Sequence, residues 1–256
     1  MYKTLLITIC LTGIIPAGPD AKDIMRKSQK VTKVSGIESI ATLTIINKKG
    51  NKRIRKFSSA SKDYGNTTKM VIRFLEPADV KGTGILTFDN EERDDDMWLF
   101  MPALRKTRRI VSTEKSKGFM GSEFSNADMT TPNISDFNYK LLGSEKVVGQ
   151  DCWKIEALPA SGDIADENGY SKRINWIQKE NSVGRKTAYY DLDDELLKVM
   201  TVHKIELLDK NKGKYQPSDI EIKNVQNGRS SRFIIDKVVL NPNVKDEYFT
   251  TQFLEK

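Results

Sequence analysis

Residues 91–111 read EERDDDMWLFMPALRKTRRIV, an acidic run, then Met97-Trp98-Leu99-Phe100-Met101-Pro102, then a basic run. Side chains of an extended chain alternate between two faces. Met97, Leu99 and Met101 therefore point one way, and Trp98 and Phe100 the other. Both sets are apolar. Such a strand has cover on both faces, or one face opens onto a ligand. Beyond Ala103 and Leu104, Arg105, Thr107 and Arg109 share one face, and Lys106 and Arg108 the other. Charge on both faces suits an edge or rim strand, where it also blocks edge-to-edge association. Asp94 to Asp96 solvate the turn that enters the unit.

The period of two extends in both directions. Upstream lie IESIATLTIIN (37–47), RIRKFSSAS (53–61), TKMVIRFLEP (68–77) and GTGILTFDN (82–90). Downstream, FNYKLLGSEKV (137–147), QDCWKIEALP (150–159), YSKRINWIQK (170–179), RKTAYYDLD (185–193), LLKVMTVHKIELLD (196–209), DIEIKNVQN (219–227) and SSRFIIDKVVLN (230–241) follow with short turns between them. The pattern predicts a mainly β protein of about eleven antiparallel strands in one large sheet. AKDIMRKSQKVTKVS (21–35) places Ile24, Met25, Val31 and Val34 on one helical face, so an amphipathic helix precedes the strands and Gly36 ends it. The tail DEYFTTQFLEK (246–256) predicts a final short helix. Residues 112–135 are irregular, punctuated by Gly118, Gly121 and Pro132, with one helical turn at SNADMTT. No linker, repeat or low-complexity tract divides residues 22–256, so one domain is expected. A sheet that long curls because its strands twist. Its hollow then needs a cap, and only the N-terminal helix and the 112–135 segment are available.

The first 21 residues differ. Lys3, the apolar TLLITICLTGII and the small or turn-forming PAGPDA have the order of a secretory signal peptide, which predicts export. No internal run reaches the roughly 18–20 apolar residues of a membrane-spanning helix. Removing the leader leaves Cys152 as the only cysteine, so no internal disulfide is possible. The formal charge of +7 is spread among 35 acidic residues, which favours acidic partners only in a general way. With export, nucleic acid is not expected.

Much catalytic chemistry is missing. One histidine, His203, and one mature cysteine give little for a metal site. There is no G-x-S-x-G elbow and no phosphate-binding glycine loop. The carboxylate runs Asp94–Asp96 and Asp191, Asp193, Asp194 and Glu195 fall in turns, where Asp favours tight backbone geometry. A secreted hydrolase would need two of these carboxylates to converge across a cleft. The reading is a non-enzyme without metal or cofactor.

LEPADVKGTGILTFDNEERDDDMWLFMPALRKTRRI followed by GFMGSEFSNADMT resembles the outer-membrane lipoprotein-sorting family, related to the periplasmic lipoprotein carrier and its outer-membrane receptor (the LolA/LolB-like superfamily). The residues that carry the resemblance run from Pro77, Gly82, Gly84 and Leu86 through Trp98, Phe100, Pro102 and Ala103. They continue through Arg105, Lys106, Arg108 and Arg109 to Phe119, Met120, Gly121, Ser122, Phe124 and Ser125. Glu123 stands where the family usually has Asp. The resemblance implies an unclosed antiparallel barrel whose concave apolar face, under helices and a loop, holds lipoprotein acyl chains. The expected function is a periplasmic carrier that holds acyl chains or a similar apolar ligand for transfer toward the outer membrane. An envelope adaptor beside an inner-membrane exporter is the alternative. Expected partners are that lipid-like ligand, an inner-membrane exporter and an outer-membrane acceptor, with the chain a monomer. Candidate cavity residues are Met70, Ile72, Phe74, Leu86, Phe88, Trp98, Phe100, Met101, Trp153 and Trp176. Candidate lid residues are Phe119, Met120, Gly121, Ser122, Glu123, Phe124 and Asp128, with Arg109 as a latch that pairs with Glu123 or Asp128.

Overall fold

The computed structural model describes residues 18–256; most of the leader read from the sequence lies outside the described residues. Helix α1 (Ala21–Thr32) starts where the Asp20 carboxylate accepts from the Lys22 N–H at 2.7 Å, satisfying one of the free donors of the first turn. It stops at Thr32, before Gly36, which already opens a strand. Valine and threonine at its end lose rotamer freedom in a helix and favour the extended chain that follows.

Thirteen strands then form one antiparallel sheet. They are β1 (Gly36–Ile46), β2 (Lys52–Asp63), β3 (Thr67–Glu76), β4 (Gly84–Asn90), β5 (Asp96–Met101), β6 (Lys106–Ile110), β7 (Phe137–Val147), β8 (Gln150–Pro159), β9 (Lys172–Gln178), β10 (Gly184–Tyr190), β11 (Leu196–Asp209), β12 (Lys214–Asn224) and β13 (Ser230–Leu240). The count exceeds the expected eleven or so because every alternating segment of the sequence, even the five-residue β6, forms a strand of its own. The order across the sheet is β6-β5-β4-β3-β2-β1-β13-β12-β11-β10-β9-β8-β7. The sheet does not close: β6 is one edge, as its two-faced charge predicts, and β7 is the other. Two short helices, α2 (Gly162–Asn168) and α3 (Thr251–Leu254), complete the fold.

Both faces of the sheet are covered. The inner face carries Leu43, Ile45, Phe57, Ile72, Phe74, Ile85 and Met97, packed against Phe119 and Phe124 of the β6–β7 segment. At the β7–β9 end, Ile155 and Ile177 pack against Ala21, Ile24 and Met25 of α1. The outer face carries Ala60, Val71, Leu86 and Phe100, sealed by the C-terminal tail through Val244, Phe249 and Leu254. A second outer cluster holds Cys152, Ile174, Trp176 and Ala188.

The tail is fixed at one point in particular: the Leu254 side chain is fully buried, and the Arg73 guanidinium donates to the Phe253 carbonyl at 2.6 Å. Truncating a buried leucine loses transfer energy and leaves a cavity. Leu254→Ala is expected to lower stability by ~2–5 kcal/mol in urea unfolding, whereas truncating the exposed Val239 leaves the midpoint nearly unchanged.

Candidate functional site: a lidded apolar cavity

Strands β6 and β7 follow each other in sequence but stand at opposite edges of the sheet. Residues 111–136 therefore have to cross the open side. They do so as a chain of single helical turns, at Ser112–Glu114, Phe119–Gly121, Ala127–Met129 and Ile134–Asp136. Between this lid, α1 and the inner face lies a cavity of about 480 Å³, within the roughly 300–1,000 Å³ usual for small-molecule sites. Leu43, Phe57, Met70 and Ile72 line one side, and Met200, Val202, Ile220 and Phe233 another. Met25, Phe119, Phe124 and Met129 close the top. Four methionines in such a wall can repack around chains of different shape.

The lid is held by polar anchors. At its centre the Lys198 ammonium donates to the Glu123 carbonyl at 2.8 Å and to Asp128 Oδ2 at 3.2 Å. Both side chains are nearly buried, at 5% and 11% exposure. Burial pulls the Lys198 ammonium down, but the Asp128 carboxylate and the Tyr170 hydroxyl outweigh it and leave it above the usual lysine value. Asp128 also accepts from the Ser125 N–H at 2.7 Å and from the Tyr189 hydroxyl at 3.4 Å. Burial first, then that carboxylate, pushes the Tyr189 phenol well above its ordinary value. The rings of Tyr170 and Tyr189 flank the ammonium at 5.1 and 4.9 Å, a cation–π arrangement that is strongest when desolvated.

A second anchor is Glu123. Its carboxylate pairs with Arg229 Nε at 3.0 Å and accepts from Asn224 Nδ2 at 3.0 Å, while its N–H donates to Ser231 Oγ at 3.0 Å. Arg229 also donates to the Gly121 carbonyl at 2.8 Å, and Arg55 to the Met120 carbonyl. The tight turn needs its glycines: Gly121 has φ +74°, and a Cβ on Gly118 would lie 2.6 Å from the Ser122 carbonyl oxygen. At the far end of the lid the Thr131 N–H donates to Asp89 Oδ2 at 3.0 Å, and Gln29 of α1 donates to the Pro132 carbonyl at 2.7 Å.

The sequence candidates divide cleanly. Met70 and Ile72 line the cavity. Phe74 is fully buried beneath the lid, packed on Phe57 and Phe119. Trp153 faces inward beside α1. Leu86, Phe88, Trp98 and Phe100 lie on the opposite face, under the C-terminal tail, and Trp176 lies in the other outer cluster with its Nε1 donating to Glu145. Met101 ends β5 outside the cavity wall. Strand alternation sends Leu86, Phe88, Trp98, Phe100 and Trp176 away from the hollow, whereas Met101 shares the row of Met97 and Leu99 and misses the cavity only because it lies at the end of β5. Phe119, Met120, Ser122 and Phe124 are all within the packed lid.

Arg109 is not paired with Glu123 or Asp128. It stands opposite Trp98, on the outer face, and pairs with Asp96 across the β5–β6 ladder. Its neighbour Arg108 reaches the lid instead, pairing with Glu114 at 2.7 Å. The two carboxylate runs do not meet. Asp191 and Asp194 cap the β10–β11 turn and bind Gln226 and Lys172, and the cleft lined by Asp94 and Asp95 contains none of that second group.

A family model described as an uncharacterized protein matches residues 66–256, most of the chain. The chain belongs to that family. A solved structure from Vibrio parahaemolyticus, described as an outer membrane lipoprotein-sorting protein domain, is 25% identical, covers 92% of this chain and 98% of its own, and superposes with a TM-score of 0.84. A DUF1329 family protein from Desulfovibrio piger is 29% identical over 91% of this chain and 97% of that one, with a TM-score of 0.84. A LolA superfamily protein from Nitrosomonas europaea, 20% identical, covers 92% of this chain and 100% of its own with a TM-score of 0.69, and shares the fold. Among curated proteins, none matches the chain. The lipoprotein-sorting resemblance carried by Pro77 to Ser125 therefore holds in three dimensions.

In this lipoprotein-sorting fold the residues that anchor the lid, Lys198, Arg229, Asn224 and Arg55, were not singled out by the motif block. Lys198 did leave a signal. It is in phase with Met200 and Val202, so a lysine occupies the inward row of β11 and has to find a carboxylate there.

Removing one partner of a buried ion pair leaves the other charge uncompensated. Lys198→Met is expected to cost ~3–5 kcal/mol and to speed hydrogen exchange of the 119–129 amides, while Lys198→Met with Asp128→Leu recovers much of the loss. The rim carboxylate Asp89 adds a pH dependence in the acid range. Burial, then the Asp95 carboxylate, raises Asp89 from 3.8 to about 6. Between those values the folded protein binds more protons than the unfolded chain, so Asp89 makes stability fall as pH rises through that window. Asp89→Asn, which keeps an acceptor for Thr131, is expected to flatten this slope and to stabilise the protein at pH 7 by ~1–3 kcal/mol, measured by thermal unfolding from pH 4 to 7.

Proposed function

We propose that the protein is a non-catalytic carrier that shelters the acyl chains of a lipoprotein, or a similar lipid-like ligand, in the lidded cavity and passes them toward the outer membrane. The observation that carries this reading is the 480 Å³ apolar hollow between sheet, α1 and lid. Burying hydrocarbon there is favourable by about 25 cal/mol per Å². The lipoprotein-sorting domain from Vibrio parahaemolyticus, similar over nearly its whole length, supports the same ligand class.

Release needs an opposing term, and the lid supplies it. In the closed state the Lys198–Asp128 and Glu123–Arg229 contacts are satisfied and the aromatic residues Phe119 and Phe124 fill part of the hollow. A ligand has to displace those side chains, so lid closure competes with retention. Weakening the anchors favours the loaded form. The N-terminal leader supports a periplasmic location, with a monomer moving between an inner-membrane exporter and an outer-membrane acceptor. Among the described residues no helix is long and apolar enough to cross a membrane.

The open hollow favours a carrier over an adaptor that only docks on other proteins, since a docking body has no use for an apolar interior. Mass spectrometry of the mature protein purified without detergent should find an acyl-bearing molecule in near-stoichiometric amount. Met200→Trp, which fills the hollow, should lose it, and Lys198→Met should retain it longer. Arg109→Leu, on the outer face, should behave as wild type. Absence of any lipid in wild type, together with no uptake of added acyl chains, would rule out the carrier.

A further inference from the structure

The cavity wall is not uniformly apolar. Along β9 the inward row is Arg173, Asn175 and Ile177, and all three line the cavity. Register places Arg173 between Tyr189 and Ala157, and Asn175 between Thr187 and Ile155. The Arg173 guanidinium lies over the Phe137 ring at 4.2 Å, and no carboxylate pairs with it among the described residues. Asp128, which shares the wall, is already engaged by Lys198, Ser125 and Tyr189. Asn175 is 8% exposed; its Oδ1 accepts from Thr187 Oγ1 at 3.2 Å, and its Nδ2 is buried without a partner. A buried amide donor left open is unusual in a native interior, where polar groups find partners, and the half-buried Arg173 beside it is a cation with no carboxylate on it. Nothing in the packing of α1 or the lid supplies one.

We infer that Arg173 and Asn175 form a polar anchor inside the cavity for the acceptor oxygens at the head of an acyl chain, a carboxylate or an ester carbonyl. The guanidinium fork matches a carboxylate in geometry and charge, and a low-polarity surround strengthens the contact. The hydrocarbon then lies against Met70, Ile72, Met200 and Ile220. The ligand is thus an amphiphile held by its head as well as its tail. This rests on the carrier reading of the same cavity.

The test measures dissociation constants of the delipidated mature protein for three probes with the same 16-carbon tail: palmitate, methyl palmitate and hexadecyltrimethylammonium. Wild type should bind palmitate about tenfold or more tighter than the ammonium probe, the scale of one charged hydrogen-bonded contact. Methyl palmitate matching palmitate identifies the ester carbonyl as sufficient; weaker binding identifies the carboxylate. Arg173→Gln should abolish the preference for palmitate, and Arg173→Lys should keep part of it. Equal binding of all three probes by wild type, or an unchanged preference in Arg173→Gln, overturns the anchor while leaving the carrier reading intact. If none of the three binds, the carrier reading falls and the anchor falls with it.

Discussion

The structure depends on one topological constraint: two strands adjacent in sequence, β6 and β7, occupy opposite edges of a thirteen-stranded sheet. The chain that joins them has no route except across the open side. A lid is therefore built into the connectivity. An irregular segment pressed into a hollow carries backbone groups that neither a helix nor a ladder satisfies. Here side chains of the sheet do that work. Lys198 takes the Glu123 carbonyl, Arg229 the Gly121 carbonyl and Arg55 the Met120 carbonyl, while Ser231 takes the Glu123 N–H.

The same constraint divides the two faces into different jobs. Over β3–β5 the outer face packs under the C-terminal tail as ordinary core, with Leu86, Phe100 and Leu254 fully or nearly buried. The inner face is sealed by α1 at one end and, over the rest, by a lid with few regular hydrogen bonds of its own. Such segments open at lower cost than the sheet beneath them. Apolar wall and polar anchors alternate around the hollow, so a ligand that displaces Phe119 and Phe124 does so against a defined set of ion pairs rather than against the whole fold.

Much of this was legible in the sequence. The period of two from Gly36 to Leu240, with its longest interruption at 111–136 and a shorter one at α2, is the sheet and its lid. Two-faced charge in residues 105–109 marked β6 as an edge. What alternation could not decide was direction. In MWLFM both sets are apolar, so Trp98 and Phe100 were as plausible for the cavity as Met97 and Leu99; the covering tail, far away in sequence, settles which set faces outward. Arg109 illustrates the same limit. Its place opposite Trp98 follows from the β5–β6 register, and that register puts it out of reach of Glu123 and Asp128. Lys198 could be read only from its phase with Met200 and Val202, since a lysine in an alternating strand usually marks a solvated face, and Arg229 sits half-exposed in the turn before β13, where alternation says nothing.

The central claim is that hydrocarbon occupies the inner hollow. Photo-crosslinking with a fatty acid that bears a diazirine along its chain, followed by peptide mapping, tests it most directly. Labels on the inward rows of β3, β11 and β12, at Met70, Ile72, Met200 and Ile220, are the predicted result. Labels confined to the outer residues around Leu86 and Trp98, or scattered over the surface without saturation, would contradict it.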